Sequence, residues 1–223
     1  MMKIAFYISG RANRLCEIMR DPRFVQIREM LQFVLNDNST DCEIIHQLCE
    51  NSEIPWIFYD YKNYFADKTR KERNRSLSDF ILSSLKNYSA DYLFVFGHHL
   101  LSGELLKEYE HRIICFHPSL LPHYKGFSGI DQAIENKDFV IGNSAFFIDE
   151  GLDTGEIIIQ SVMHTSNFEN NNYEALLHPI VDMFYYLIKV LKEDRIRIVE
   201  RKVRILSADY GRVYYWPELE EME

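Results

Sequence analysis

Five consecutive apolar residues, Ile4-Ala5-Phe6-Tyr7-Ile8, follow the first three positions, and the run stops at Ser9-Gly10. A run apolar at every position, rather than at alternate ones, predicts a strand covered on both faces. Similar runs return at residues 31–35, broken only by Gln32 and ending in Asn36-Asp37-Asn38, at 56–59 and 92–96, and at 112–116, which opens on Arg112. Between these runs the apolar residues move to helical spacing. Helices are predicted from the turn at 9–15 through about Met19, over 41–50, over 71–88 with Leu77, Phe80, Ile81, Leu82 and Leu85 turned inward, and over 104–110. Strands alternating with helices imply right-handed crossovers and a parallel sheet with helices on both faces. The pattern then changes. A short helix over 131–136 is followed by runs at 143–147 and 156–163 that read as antiparallel additions, then by a long helix over 172–192. The apolar face of that helix carries Leu176, Leu177, Ile180, Phe184, Leu187, Ile188 and Leu191. The expected fold class is α/β, a three-layer sandwich around a mostly parallel central sheet. One catalytic domain is expected over 1–200, with a tail over 201–223 able to form a hairpin, in which Tyr214-Tyr215-Trp216 reads as edge packing.

A chain of 223 residues buries one substantial core. Its net charge of −9 sets up a field that repels nucleic acid. The basic cluster Lys68, Arg70, Lys71, Arg73 and Arg75 is interleaved with Asp67 and Glu72, so it reads as a solvated helical face. The four cysteines, Cys16, Cys42, Cys49 and Cys115, show no C-x-x-C pair and no histidine at metal spacing, so no metal is expected. The first apolar run is too short for a signal peptide, and no stretch approaches the roughly 18 apolar residues of a membrane span. A cytoplasmic protein with reduced thiols and no membrane partner is the expectation.

Chemistry concentrates in two segments. His117 lies in Cys115-Phe116-His117-Pro118-Ser119-Leu120-Leu121-Pro122, after the apolar pair Ile113-Ile114. That places it at the C-terminal mouth of a buried strand, where open α/β sheets bind their ligands. Asp153 lies in Gly151-Leu152-Asp153-Thr154-Gly155, whose glycines let the backbone fold back toward the imidazole. A carboxylate beside an imidazole fixes its tautomer and favours its protonated form, which suits proton transfer.

The Pro-bracketed segment, Gly126 four residues beyond it, and an Asp-x-Gly beginning 36 positions after His117 resemble the folate-dependent formyltransferases. The resemblance covers roughly residues 2–200 and implies a formyltransferase-like fold. It also implies 10-formyltetrahydrofolate as co-substrate and a small-molecule amine as acceptor. The acceptor would be phosphorylated, either glycinamide ribonucleotide-like or an amino-sugar nucleotide. The family's catalytic trio is Asn, His and Asp; His117 and Asp153 match, but Cys115 stands at the asparagine position. Phe146 stands where relatives commonly carry a histidine. Ser144 would help hold a water at the reaction centre. By the same resemblance, Gly97, His98, His99, Leu100 and Leu101 would contact the pterin, largely through the backbone. Gly10, Arg11, Ala12 and Asn13 would hold the acceptor phosphate, with Arg14 adding charge. His123 and Lys125 read as turn surface, and Asp149 and Glu150 as solvated loop charges.

Replacing an amide donor by a thiol removes about 2.7–4 kcal/mol of oxyanion stabilisation. An impaired or specialised enzyme is the reading that follows, with Cys115 as a nucleophile the less favoured version. Two other functions stay open: a formyltetrahydrofolate hydrolase, and a catalytically impaired folate- or nucleotide-binding relative.

Overall fold

The computed structural model describes residues 1–64, 67–171 and 174–212. The first apolar run forms strand β1 (Ile4–Ile8), buried at all five positions. Its alternation feeds two separate cores. Ile4, Phe6 and Ile8 pack with Phe94, Phe116 and Phe184 on one side of the sheet. Ala5 and Tyr7 pack with Phe33, Leu77, Ile81, Leu85 and Leu105 on the other. Both faces of the strand are therefore dry, which is why no polar residue interrupts it.

The remaining strands of the sheet are β2 (Leu31–Asn36), β3 (Trp56–Phe58), β4 (Tyr92–Phe96), β5 (Ile113–His117), β6 (Val140–Phe147) and β7 (Ile157–His164), in the order β3-β2-β1-β4-β5-β6-β7. Pairing is parallel from β3 to β5 and antiparallel from β5 to β7. The helices are α1 (Asn13–Arg20), α2 (Glu43–Asn51), α3 (Arg70–Tyr88), α4 (Glu104–Glu108), α5 (Gly129–Glu135) and α6 (Glu174–Lys192). The core shared with α1, α2 and α6 and the core shared with α3 and α4 lie on opposite faces of the sheet, giving three layers. A two-stranded hairpin, β8 (Ile196–Val199) with β9 (Lys202–Ile205), follows α6. Its turn falls at the start of the expected tail, while Tyr214, Tyr215 and Trp216 lie outside the described residues.

Three details differ from the sequence reading. Strand β6 begins at Val140, three residues early, because Ile141, Gly142 and Asn143 all pair with β7. Phe80 does not face the core; it is 36% exposed, its ring 5.0 Å from that of Tyr59 at the rim of α3. Asp149 is no free loop charge, since it accepts from Gly151 N–H and Thr154 Oγ1 and pairs with Arg201. The basic segment at the start of α3 is exposed as expected, apart from Arg73, whose guanidinium lies 5.2 Å from the centre of the Tyr61 ring.

Topology places the site. The strand order reverses between β1 and β4, so a crevice opens where their C-terminal ends diverge. Ile8 pairs with Phe96, which brings Ser9 beside Gly97, and the His98 N–H donates to Ser9 Oγ at 3.1 Å. A side chain at Gly97 would run into the Tyr7 ring, so only glycine lets the two turns close this tightly.

Candidate functional site

A cleft of about 650 Å³ opens at these strand ends, and residues 9–14, 97–101, 115–118 and 151–153 contribute to its walls. His117, the last residue of β5, is 8% exposed. Its Nε2 lies 2.9 Å from the Tyr124 carbonyl, to which only an N–H can donate, and its Nδ1 lies 3.6 Å from Asp153 Oδ2. Both ring nitrogens thus face oxygens. Asp153 Oδ2 also accepts the Gly126 N–H at 2.8 Å, which ties the carboxylate loop to the turn after Pro122. Asp153 itself has φ of 50°, a left-handed conformation that costs an ordinary side chain energy and points the carboxylate inward. Its loop closes tightly, because a side chain at Gly155 would meet the Phe147 carbonyl. Such an imidazole–carboxylate pair at a cleft mouth can donate a proton to one substrate atom and accept one from another.

Cys115 lies two residues before His117 on the same strand, and therefore on the same face of the sheet. Burial pushes its thiol up to about 12, with nearby Asp153 adding to the effect and Arg14 opposing it. A thiol held that high is almost wholly protonated near neutral pH, which argues against the nucleophile reading. Directly across the sheet, Cys115 pairs with Phe146, as His117 does with Ser144. The two departures from the family pattern are therefore neighbours, and together they make one wall of the cleft apolar. Arg14 also lines this cleft, with Nη1 donating to the Phe116 carbonyl at 3.1 Å.

Ser144 is a correction. Its hydroxyl donates to Ser119 O at 2.7 Å and accepts from Leu121 N at 3.0 Å and Gln160 Nε2 at 2.8 Å, so nothing is left for a water. It is fully buried and pins the loop after His117. The turn at 9–14 is also committed in part. Gly10 N–H and C=O are both bonded to the buried Asn36 side chain, and Arg11 donates from Nε and Nη2 to one oxygen of Asp41, Oδ2. What remains for an anion is the start of α1, which has no side-chain cap, and Arg14. Residues 97–101 all line the cleft, with His98 and Leu100 exposed and Leu101 buried.

One constellation was not anticipated. Beneath this segment His99 Nε2 lies 3.6 Å from Asp37 Oδ2, which also accepts from the Tyr7 hydroxyl, and the His99 ring stacks on Tyr61 at 3.5 Å. Burial lowers the His99 pKa, opposed by Asp37, and raises that of Tyr7 well above its ordinary value. The sequence signal was a carboxylate, Asp37, immediately after a buried strand. His123 and Lys125 are exposed turn residues. No group of three or more potential metal ligands occurs among the described residues, and no described helix is long and apolar enough to cross a membrane.

The sequence pattern of the formyl transferase family matches residues 2–177. The chain belongs to that family. This formyltransferase is 28% identical over 138 residues to the phosphoribosylglycinamide formyltransferase of Bacillus subtilis (strain 168), a match covering 61% of the chain and 67% of that enzyme. Its fold is similar to that of glycinamide ribonucleotide transformylase 1 from Symbiobacterium toebii, with a TM-score of 0.77, 25% identity, and coverage of 93% of this chain and 95% of that one. It is also similar in fold to a formyltetrahydrofolate deformylase from Pseudomonas syringae pv. tomato str. DC3000, with a TM-score of 0.71, 20% identity, and coverage of 92% and 66%. The formyltransferase is thus an enzyme of one-carbon transfer, in a family whose formyl donor is 10-formyltetrahydrofolate.

Proposed function

We propose that this formyltransferase moves a formyl group from 10-formyltetrahydrofolate to the primary amine of a small phosphorylated acceptor, with glycinamide ribonucleotide the leading candidate. The observation that carries the reading is the His117–Asp153 pair, 3.6 Å apart at the mouth of the cleft. The relatives named for that acceptor support its choice. A planar heterocycle fits the cleft, which offers the apolar side chains of Val95, Leu101, Ile148 and Leu152 beside the main chain of residues 97–100. The acceptor's phosphate would lie at the uncapped start of α1, with its amine directed toward His117.

In this reading Asp153 accepts, through water, the proton that the attacking amine loses, while His117 donates one to the departing folate nitrogen from Nδ1, which at 3.6 Å is not hydrogen-bonded to Asp153. Positioning by the two loops that meet at Gly126 supplies much of the remaining acceleration. Incubating the protein with 10-formyltetrahydrofolate and, separately, glycinamide ribonucleotide, amino-sugar nucleotides or no amine tests it. Tetrahydrofolate release that depends on one acceptor is the expected result. Release without any amine makes the protein a hydrolase, the reading to which the deformylase-like fold points. Binding without release makes it a non-catalytic relative.

A further inference from the structure

Two arginines line the cleft, and they are used differently. Arg11 is exposed and held by Asp41 through two hydrogen bonds. Arg14, on the first turn of α1, reaches inward instead. It makes one hydrogen bond, from Nη1 to the Phe116 carbonyl at 3.1 Å, and no ion pair with any described residue. Its guanidinium carbon stands 5.9 Å from the centre of the Phe96 ring, and the residue is half-buried. Phe116 lies between Cys115 and His117, and the carbonyl that holds Arg14 therefore belongs to the strand segment that carries both.

A guanidinium has five N–H donors in a rigid fork, and the Phe116 carbonyl uses one of them. No described carboxylate pairs with it, so an anion formed in the cleft would meet a charged donor whose remaining N–H groups the described residues do not engage. Formyl transfer generates one. The amine lone pair forms a new N–C bond, and the carbonyl pair moves onto oxygen as an oxyanion. On collapse that pair re-forms the C=O, the bond from carbon to the folate nitrogen breaks, and that nitrogen keeps the bonding pair and gains a proton as the amine loses one. A thiol at position 115 is a poor donor to that oxyanion. We propose that Arg14 supplies the charged donor that stabilises it, doing from α1 what the strand residue beside His117 cannot. The inference rests on the formyl-transfer reading and adds to it a catalytic residue in a different element.

The test is steady-state kinetics of Arg14→Ala and Arg14→Lys with 10-formyltetrahydrofolate and glycinamide ribonucleotide, alone and combined with Cys115→Asn, with folding checked by circular dichroism. Arg14→Ala is expected to lower kcat by roughly 10²–10³-fold, the loss of one oxyanion donor, with KM for both substrates little changed. Added guanidinium ion at millimolar concentration is expected to restore part of the rate. Cys115→Asn is expected to recover at least about tenfold in the Arg14→Ala background and to raise the wild-type rate by a clearly smaller factor, since the two donors share one role. If Arg14→Ala does not fold, Arg14→Lys, which keeps the charge on a shorter reach, must still lower kcat and must still gain from Cys115→Asn. An unchanged kcat overturns the proposal. So does a raised acceptor KM at constant kcat, which would make Arg14 an anchor for the acceptor phosphate. In either case an active wild type leaves the transfer reading standing, whereas a wild type that consumes no 10-formyltetrahydrofolate with any amine overturns both.

Discussion

His117 and Asp153 were legible as residues because their chemistry and spacing single them out before any fold is known. Each is held by groups outside the core, the Tyr124 carbonyl and the Gly126 N–H, so removing either side chain should spare the fold. His117→Ala and Asp153→Ala are each expected to lower formyl-group turnover by at least ~10² while leaving the circular dichroism spectrum intact. Cys115 makes a sharper statement about reactivity. With its thiol pushed up to about 12, alkylation by iodoacetamide should be negligible near neutral pH and climb about tenfold per pH unit above it. Mass spectrometry of the peptide containing Cys115 reads this directly, and stoichiometric labelling at pH 7.5 would contradict it. What the residues alone could not reveal was saturation. Ser144 looks available in the sequence, yet three partners already occupy its hydroxyl, and those partners come from 119, 121 and 160. The same holds for Asp37 and His99, whose meeting depends on how β2 and β4 flank β1.

Among the elements, the fully apolar strands and the helices with clean spacing were read within one or two residues, because burial on both faces or on one stripe leaves a strong periodic trace. Helix α3 adds local chemistry to its periodicity. Thr69 accepts from the Glu72 N–H while the Glu72 carboxylate accepts from the Thr69 N–H, a reciprocal capping box. Thr69→Ala should therefore cost about 1 kcal/mol of stability in urea denaturation without touching turnover. The start of β6 and the outward face of Phe80 were missed for one reason: each depends on what a neighbouring element covers. Gly155 joins this scale to the site. Gly155→Ala would force the chain away from the Phe147 carbonyl, and both stability and turnover should fall as the Asp153 loop moves. A variant with unchanged kcat would show that the loop's position tolerates such a shift.

For the molecule as a whole, alternating strands and helices were enough to give a three-layer α/β sandwich, since few other arrangements bury that pattern. Its response to alkali follows from acids buried in neutral form. Burial pushes Cys49 and Cys115 each up to about 12 and raises Tyr7 well above its ordinary value. Unfolding releases these groups to lose protons nearer their ordinary values, so their contribution is complete below about pH 9 and declines as pH rises toward 12. Melting temperature should thus fall between pH 9 and 10.5, and Cys49→Ala should shallow that slope, as differential scanning calorimetry can show. The packing of the last helix has a separate consequence. Tyr185 on α6 donates to the Ile18 carbonyl of α1 at 2.7 Å, and Leu177 of α6 lines the cleft. Arg14 and His117 therefore face a cleft that lacks part of its wall until α6 packs against α1. Turnover should appear only once α6 has docked on α1, so that until then no formyl group is spent on a stray amine.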